Sequence, residues 1–240
     1  MEDYVVFPSP DKATQEGLLC IGGDLSPPTL LSAYRQGIFP WYSDDEPILW
    51  FSPDPRFIML PETFHIGESA RKLVKKRLFR ITVDVDFPYV IQNCAHIERK
   101  GQRGTWIVPD MIEAYCRLHE LGYAHSVEAW QDGKLVGGLY GVSLGRAFFG
   151  ESMFSKVSGA SRCAFLNFAT ALFKAGFNFI DSQVYTDYVA GMGGISVSRR
   201  RYLSLLRAAM EYPDQRGSWK SVYGDDLSMM TTAFVGHSPL

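Results

Sequence analysis

The 240-residue chain is long enough for one large domain or two small ones, and its 46% hydrophobic and 21% charged residues are ordinary for a globular protein. It has no run of eighteen apolar residues, and MEDYVVFPSP lacks the charged-then-apolar pattern of a signal peptide, so no membrane association and a cytoplasmic location are expected. The net charge of −2 by itself names no nucleic-acid partner, but RKLVKKRLFR (Arg71–Arg80) concentrates six basic residues and leaves 18 basic against 26 acidic residues elsewhere. In chain order, residues 1–62 are rich in turn signals (FPSP, IGGDLSPP, GIFPWY, FSPDPR). Between them a helix is expected over TLLSAYRQG, capped by Asp24 or Ser26 and stopped at Gly37. Residues 63–109 hold a basic helix from near Ser69, with Leu73, Val74 and Leu78 on its packed face, then a strand over Arg80–Phe87.

Residues 110–240 are more regular. VPDMIEAYCRLHELGYA reads as a helix, with Pro109 in its first turn and Gly122 as its stop. SVEAWQDGKLVGGLYG is a hairpin turning at Asp132–Gly133, and GRAFFGESMFS is the next strand. A helix over Ala160–Gly176, the strand FNFIDSQV (Phe177–Val184) and a helix over Ser198–Met210 follow. The C-terminal GSWKSVYGDDLSMMTTAF has no strong pattern. This order predicts an α+β protein with a mixed sheet in a larger C-terminal domain, preceded by a small N-terminal α+β lobe made of residues 1–62 and 63–109.

Two acidic positions stand out. Alternation along FNFIDSQV puts Asp181 and Gln183 on one face at a strand end, which suits either a ligand site or a polar end meeting solvent. Glu151 lies in an apolar run after Gly150, itself a candidate bulge, so the carboxylate needs donors or a cation. It can serve a substrate amine beside Phe148 and Met153, or be satisfied by backbone amides. The four cysteines (Cys20, Cys94, Cys116, Cys163) form no C-x-x-C pair, so neither a disulfide framework nor a metal site is expected. G-x-S-x-G, P-loop and G-x-G-x-x-G strings are absent.

GLLCIGGDLSPPTLLSAYRQGIFPWY, ILWFSPDPR, GTWIVPDMIEAYCRLHELGYAHSVE, LVGGLYGVSLGRAFFGESMFS and IDSQV follow the order seen in leucyl/phenylalanyl-tRNA–protein transferases, and the chain resembles that family from about Phe7 to Leu206. The resemblance implies an acetyltransferase-like C-terminal domain. It also implies transfer of Leu, Phe and, less readily, Met from aminoacyl-tRNA to acceptor proteins with N-terminal Arg or Lys, which yields a bacterial N-degron. No cofactor is implied, and a monomer is the default. Carried over residue by residue, the resemblance gives Asp181 and Gln183 to the acceptor amine and Glu151 to the aminoacyl end or the amine. It gives Leu139, Phe148, Met153, Phe168 and Ile180 to the side-chain pocket, Trp41 and Trp106 to the terminal adenosine, and Arg71, Lys72, Lys75, Lys76, Arg77 and Arg80 to the tRNA acceptor stem. The chain departs from the family at Tyr188 (usually His), at Gly191–Gly194 and at Ser198 (usually Pro), which points to a difference on the acceptor side. An acetyl-CoA-dependent acyltransferase of similar fold is the runner-up, but its [QR]-x-x-G-x-[GA] phosphate loop is missing.

Overall fold

The computed structural model describes residues 4–97 and 107–231. Its strands in chain order are β1 (Leu18–Ile21), β2 (Phe39–Pro40), β3 (Leu49–Phe51), β4 (Arg56–Met59), β5 (Arg80–Val83), β6 (Ala124–Gln131), β7 (Lys134–Leu144), β8 (Ala147–Ser155), β9 (Phe179–Asp181) and β10 (Gly194–Val197). The helices are α1 (Pro27–Arg35), α2 (Glu68–Lys75), α3 (Phe87–His96), α4 (Pro109–Glu120), α5 (Ala160–Lys174), α6 (Asp187–Ala190), α7 (Arg199–Met210) and α8 (Lys220–Tyr223). The class is α+β, as expected.

Strands β1, β3 and β2 form a small antiparallel sheet. The main sheet has seven strands in the order β10-β4-β9-β8-β7-β6-β5. Its β8–β9 pair is parallel and the other neighbours are antiparallel, which makes it mixed. A parallel pair needs a crossover, and α5 supplies it. The main sheet takes β4 and β5 from the residues expected in the small lobe. The boundary at residue 109 therefore does not separate two sheets. The main sheet buries two apolar clusters. One includes Tyr34, Tyr115, Phe149 and Tyr202, from α1, α4, β8 and α7. The other includes Val74, Phe148, Phe168 and Trp219, from α2, β8, α5 and the C-terminal segment.

The β6–β7 hairpin turns at Asp132 and Gly133, with φ of 50° and 72°, the positive pair that a tight two-residue turn requires. Asp24 and Ser26 share the start of α1: Asp24 Oδ1 accepts from the Ser26 N–H (2.8 Å) and the Thr29 hydroxyl (2.9 Å), while the Ser26 side chain makes no cap bond to the backbone. Three expectations need correction. The strand expected over Arg80–Phe87 ends at Val83, because Asp84 turns to φ 52° and Asp86 caps α3 by accepting from the Tyr89 N–H at 3.2 Å. The D-F-P string was a helix-start signal hidden in an alternating run. The strand expected over Phe177–Val184 is confined to Phe179–Asp181. Helix α2 ends at Lys75, so Leu78 is exposed rather than packed.

The C-terminal segment without a sequence pattern is laid against the sheet. Trp219 is fully buried, stacks on His125 with ring centroids 3.8 Å apart, and donates its backbone N–H to Asp84 Oδ2 (2.7 Å). The β7–β8 turn is tied down at the other side of the sheet. The Gly145 N–H donates to Asp214 Oδ1 (2.7 Å), and the Arg146 N–H to the Ala209 carbonyl (3.0 Å). Gly145 has φ 53°, and a Cβ there would stand 2.1 Å from the Ala209 carbonyl oxygen. Gly145→Ala should therefore cost at least about 1–2 kcal/mol from the left-handed backbone alone, before α7 shifts to relieve the clash. Urea melts check this, and an unchanged midpoint would contradict the packing described for this turn.

Candidate functional site

The site forms where β8 and β9 part. Their pairing runs Ala147 with Phe179, Phe148 with Ile180 and Phe149 with Asp181, and then stops. Strand β8 continues, and a bulge follows immediately. On β7, Tyr140 faces Ser152 and Gly141 faces Gly150, so Glu151 is the extra residue. A bulge re-aims the side chain it carries and reverses the alternation beyond it. Before the bulge Phe148 faces the α5 side, and after it Met153 does. The two residues five positions apart therefore share a wall. Between the diverging strands lies a cavity of about 380 Å³. Leu139, Phe148, Met153, Phe165, Ile180 and Val189 are apolar lining residues, and Glu151, Asp181 and Gln183 also line it.

Glu151 is held from three directions. The Tyr34 hydroxyl donates to Oε1 (2.7 Å), the Tyr115 hydroxyl donates to Oε2 (3.3 Å), and Gln183 Nε2 donates to Oε1 (3.2 Å). Burial pushes the Glu151 carboxyl up to about 7, and Asp181 adds to the rise. The tyrosine hydrogen bonds and the Arg56 charge pull in the other direction. Burial and the neighbouring Glu151 charge hold both tyrosine hydroxyls well above their ordinary range, so they remain neutral donors.

Asp181 has different partners. It is fully buried, and Arg56 Nε donates to Oδ1 (2.9 Å) while Nη2 donates to Oδ2 (2.7 Å). Its remaining capacity is taken by the Tyr202 hydroxyl (2.7 Å) and the backbone N–H of Gln183 (2.9 Å). The Arg56 guanidinium lies between the Phe39 and Tyr202 rings, with centroids at 4.8 and 4.5 Å. Gln183 lies beyond the strand with φ 57°, so the alternation that grouped it with Asp181 does not set its direction. The Gln183 N–H, which donates to Asp181 Oδ1 (2.9 Å), and the Gln183 carbonyl, which accepts from the Phe57 N–H (3.2 Å), hold it instead.

Of the pocket residues expected from the sequence, Leu139, Phe148, Met153 and Ile180 line the cavity. Phe168 is a correction. It is fully buried one layer back, edge-on to Phe148 with centroids 4.8 Å apart. A helix face cannot be assigned from a motif list, and Phe165, one turn earlier on α5, takes the wall position. Trp41 stands at the rim, 42% exposed. Trp106 lies outside the described residues. Of the departures placed on the acceptor side, Tyr188 lines the cavity, its ring 6.3 Å from that of Phe165. Gly194 instead begins the strand that pairs with β4, and Ser198 caps α7. Arg56, Tyr34, Tyr115 and Tyr202 were missed. The one signal for Arg56 was a cation opening the otherwise apolar RFIM strand.

The six basic residues are all exposed. Arg71, Lys72 and Lys75 lie on α2, where Lys72 pairs with Glu68 (2.8 Å) and Arg71 Nε donates to the Ile66 carbonyl (2.8 Å). Lys76 and Arg77 follow the helix, and Arg80 opens β5 and donates to the Asp225 carbonyl (3.4 Å). Helix α2 packs on α5, the helix that carries Phe165. Among the described residues no three His, Cys, Asp or Glu side chains form a metal set, and no helix is long and apolar enough to cross a membrane.

A family model described as leucyl/phenylalanyl-tRNA protein transferase matches residues 58–207, and one for the N-terminal domain of the same family matches residues 23–54. The leucyl/phenylalanyl-tRNA–protein transferase of Saccharophagus degradans is 53% identical over 208 residues, covering 86% of this chain and 85% of the relative. That of Myxococcus xanthus is 51% identical over 214 residues, covering 89% and 92%. Among solved structures, an aminoglycoside acetyltransferase from an uncultured soil metagenomic sample is 18% identical with a TM-score of 0.36, covering 48% of this chain and 85% of its own. So loose an overlap carries no argument, and the fold class rests on the sheet itself. The chain belongs to the leucyl/phenylalanyl-tRNA protein transferase family and is an aminoacyltransferase.

Proposed function

We propose that the chain transfers Leu or Phe, and less readily Met, from aminoacyl-tRNA to the N-terminal Arg or Lys of acceptor proteins, producing an N-degron in the bacterial cytoplasm. The observation that carries this reading is an apolar cavity of about 380 Å³ bordered by a carboxyl raised to about 7. The volume is near the small end of ligand pockets, about 300–1,000 Å³, and suits one apolar side chain with its ester. Such a wall rejects charged side chains but separates similar apolar ones by only about 1–3 kcal/mol, which supports tolerance of Met. Trp41 at the rim suits stacking on the terminal adenine, worth about 1–3 kcal/mol.

The donor ester is already activated, so the enzyme's tasks are to position the amine and move its proton. In this reading the neutral acceptor amine attacks the ester carbonyl and a C–N bond forms. Ionised Glu151 takes the proton released from nitrogen. The C–O bond to the ribose then breaks, and the same proton goes to the departing ribose oxygen. Gln183, tied to Glu151, lines the amine's approach. The sequence left two roles open for Asp181, taking the proton or orienting the site. Its saturated oxygens support the second: it fixes Gln183 and neutralises Arg56.

Labelled Phe-tRNA mixed with an Arg-initiated peptide, without ATP, should place label on the peptide; absence of transfer would contradict the reading. Glu151→Gln should lower turnover by about 10²–10⁴. Below pH 7 both Glu151 and an α-amine of ordinary value, about 7.7–8.0, must lose a proton. Log kcat/KM should therefore rise with a slope near two, falling to one in Glu151→Gln; an unchanged slope would assign the proton elsewhere. Asp181→Asn should destabilise by about 3–5 kcal/mol, because it leaves the Arg56 charge buried and unpaired. A wild-type denaturation midpoint would contradict that role. For the tRNA surface, Lys75→Ala with Lys76→Ala should weaken binding and reduce the salt slope by about 1–2. Filter binding measures this, and an unchanged slope would remove α2 from the interface.

A further inference from the structure

In the proposed transfer Glu151 takes up and releases a proton; the residue is half-buried at the cavity edge, and its carboxyl oxygens, enclosed by protein donors, need partners in both states. The neighbours that face it are Tyr34 from α1, Tyr115 from α4 and Gln183 from the loop after β9, with the charges of Asp181 on β9 and Arg56 on β4 close behind. Tyr42 stands near Tyr115. Both tyrosines are fully buried, and their hydroxyl oxygens are 2.5 Å apart. Three contacts thus close a triangle: Tyr34 to Glu151 Oε1 (2.7 Å), Tyr115 to Glu151 Oε2 (3.3 Å), and Tyr34 to Tyr115 (2.5 Å).

We infer that Tyr34, Tyr115 and Glu151 form a hydrogen-bond ring that holds the transferred proton between attack and leaving-group departure, which makes the two tyrosines positioning residues for the reaction. This rests on the proposed transfer chemistry. With Glu151 ionised, Tyr34 donates to Oε1, and the Tyr115 hydroxyl hydrogen is shared between the Tyr34 oxygen (2.5 Å) and Oε2 (3.3 Å). When a proton arrives on Oε2, that oxygen becomes the donor to Tyr115. The Tyr115 hydroxyl then rotates toward the Tyr34 oxygen, and Tyr34 keeps its bond to Oε1. Each member now donates once and accepts once. One O–H rotation accommodates the change, with no heavy atom moved. When the proton leaves for the ribose oxygen, the rotation reverses. Gln183 donates to Oε1 in both states, so it orients the carboxyl without reporting its charge.

Tyr34→Phe and Tyr115→Phe each remove one hydroxyl and keep the ring that packs the core. Each takes a donor from the ionised carboxylate, so the Glu151 midpoint should move up by about one pH unit. The titration is read by carboxyl NMR of ¹³C-labelled glutamate in the free enzyme, assigned with Glu151→Gln. Turnover at pH 7 should fall about fivefold with the midpoint, because the ionised fraction drops from about one half to about one eleventh, while KM for Phe-tRNA holds. Midpoints unmoved in both variants would overturn the ring. A reading that needs no variant is the pair of tyrosine hydroxyl proton resonances in the wild type. They should titrate together with the Glu151 carboxyl, and resonances that do not follow it would overturn the ring. Because the titration needs no substrate, wild-type protein that shows it but transfers nothing would overturn the functional reading and not the ring.

Discussion

The Arg56–Asp181 ion pair is the contact on which the site depends. It is almost wholly removed from water and joins β4 to the end of β9. Through further hydrogen bonds it engages Tyr202 on α7 and the Gly37 carbonyl after α1. A pair so buried is a poor source of net stability, because desolvating both ions offsets most of their attraction. Its value is geometric. It fixes the point where β9 stops, and through Asp181 it holds Gln183 in a left-handed backbone turned toward Glu151. It also occupies the oxygens of Asp181, which in the proposed mechanism leaves the proton transfer to Glu151.

The second requirement is the division of the sheet into two faces. On the α5 face the diverging strands leave an apolar cavity, and on the other face two tyrosines meet a carboxylate. Glu151 serves both because it is the extra residue of a bulge. Were the same residues paired without a bulge, β8 would keep its alternation, and Phe148 and Met153, five positions apart, would fall on opposite faces. One irregularity in strand pairing thus makes the hydrophobic wall and aims the polar group at its edge.

Local chemistry was legible in the sequence where it acts alone. The Asp132–Gly133 turn, the Pro109 start and Gly122 stop of α4, and the amphipathic α7 could each be read from a few residues. The motifs likewise led to Glu151, Asp181 and Gln183, which the fold brings to one cavity. What escaped depends on partners distant in the chain. Arg56 is paired across 125 positions and Tyr34 bonds Glu151 across 117, and neither distance leaves a local pattern. Trp219 lies in a segment without periodicity because its order comes from Asp84 and His125 rather than from its neighbours. Period-2 reasoning grouped Asp181 with Gln183 through a strand that ends before Gln183, so their proximity has a different cause from the one inferred.

The most direct measurement is a structure of the protein bound to phenylalanyl-adenosine linked by a non-hydrolysable amide. The account predicts the phenyl ring in the cavity against Phe148, Met153 and Ile180, with the linkage carbonyl at the Glu151 edge and the adenine at Trp41. An analogue seated elsewhere, or a linkage carbonyl beyond reach of Glu151 while near another ionisable group, would contradict it.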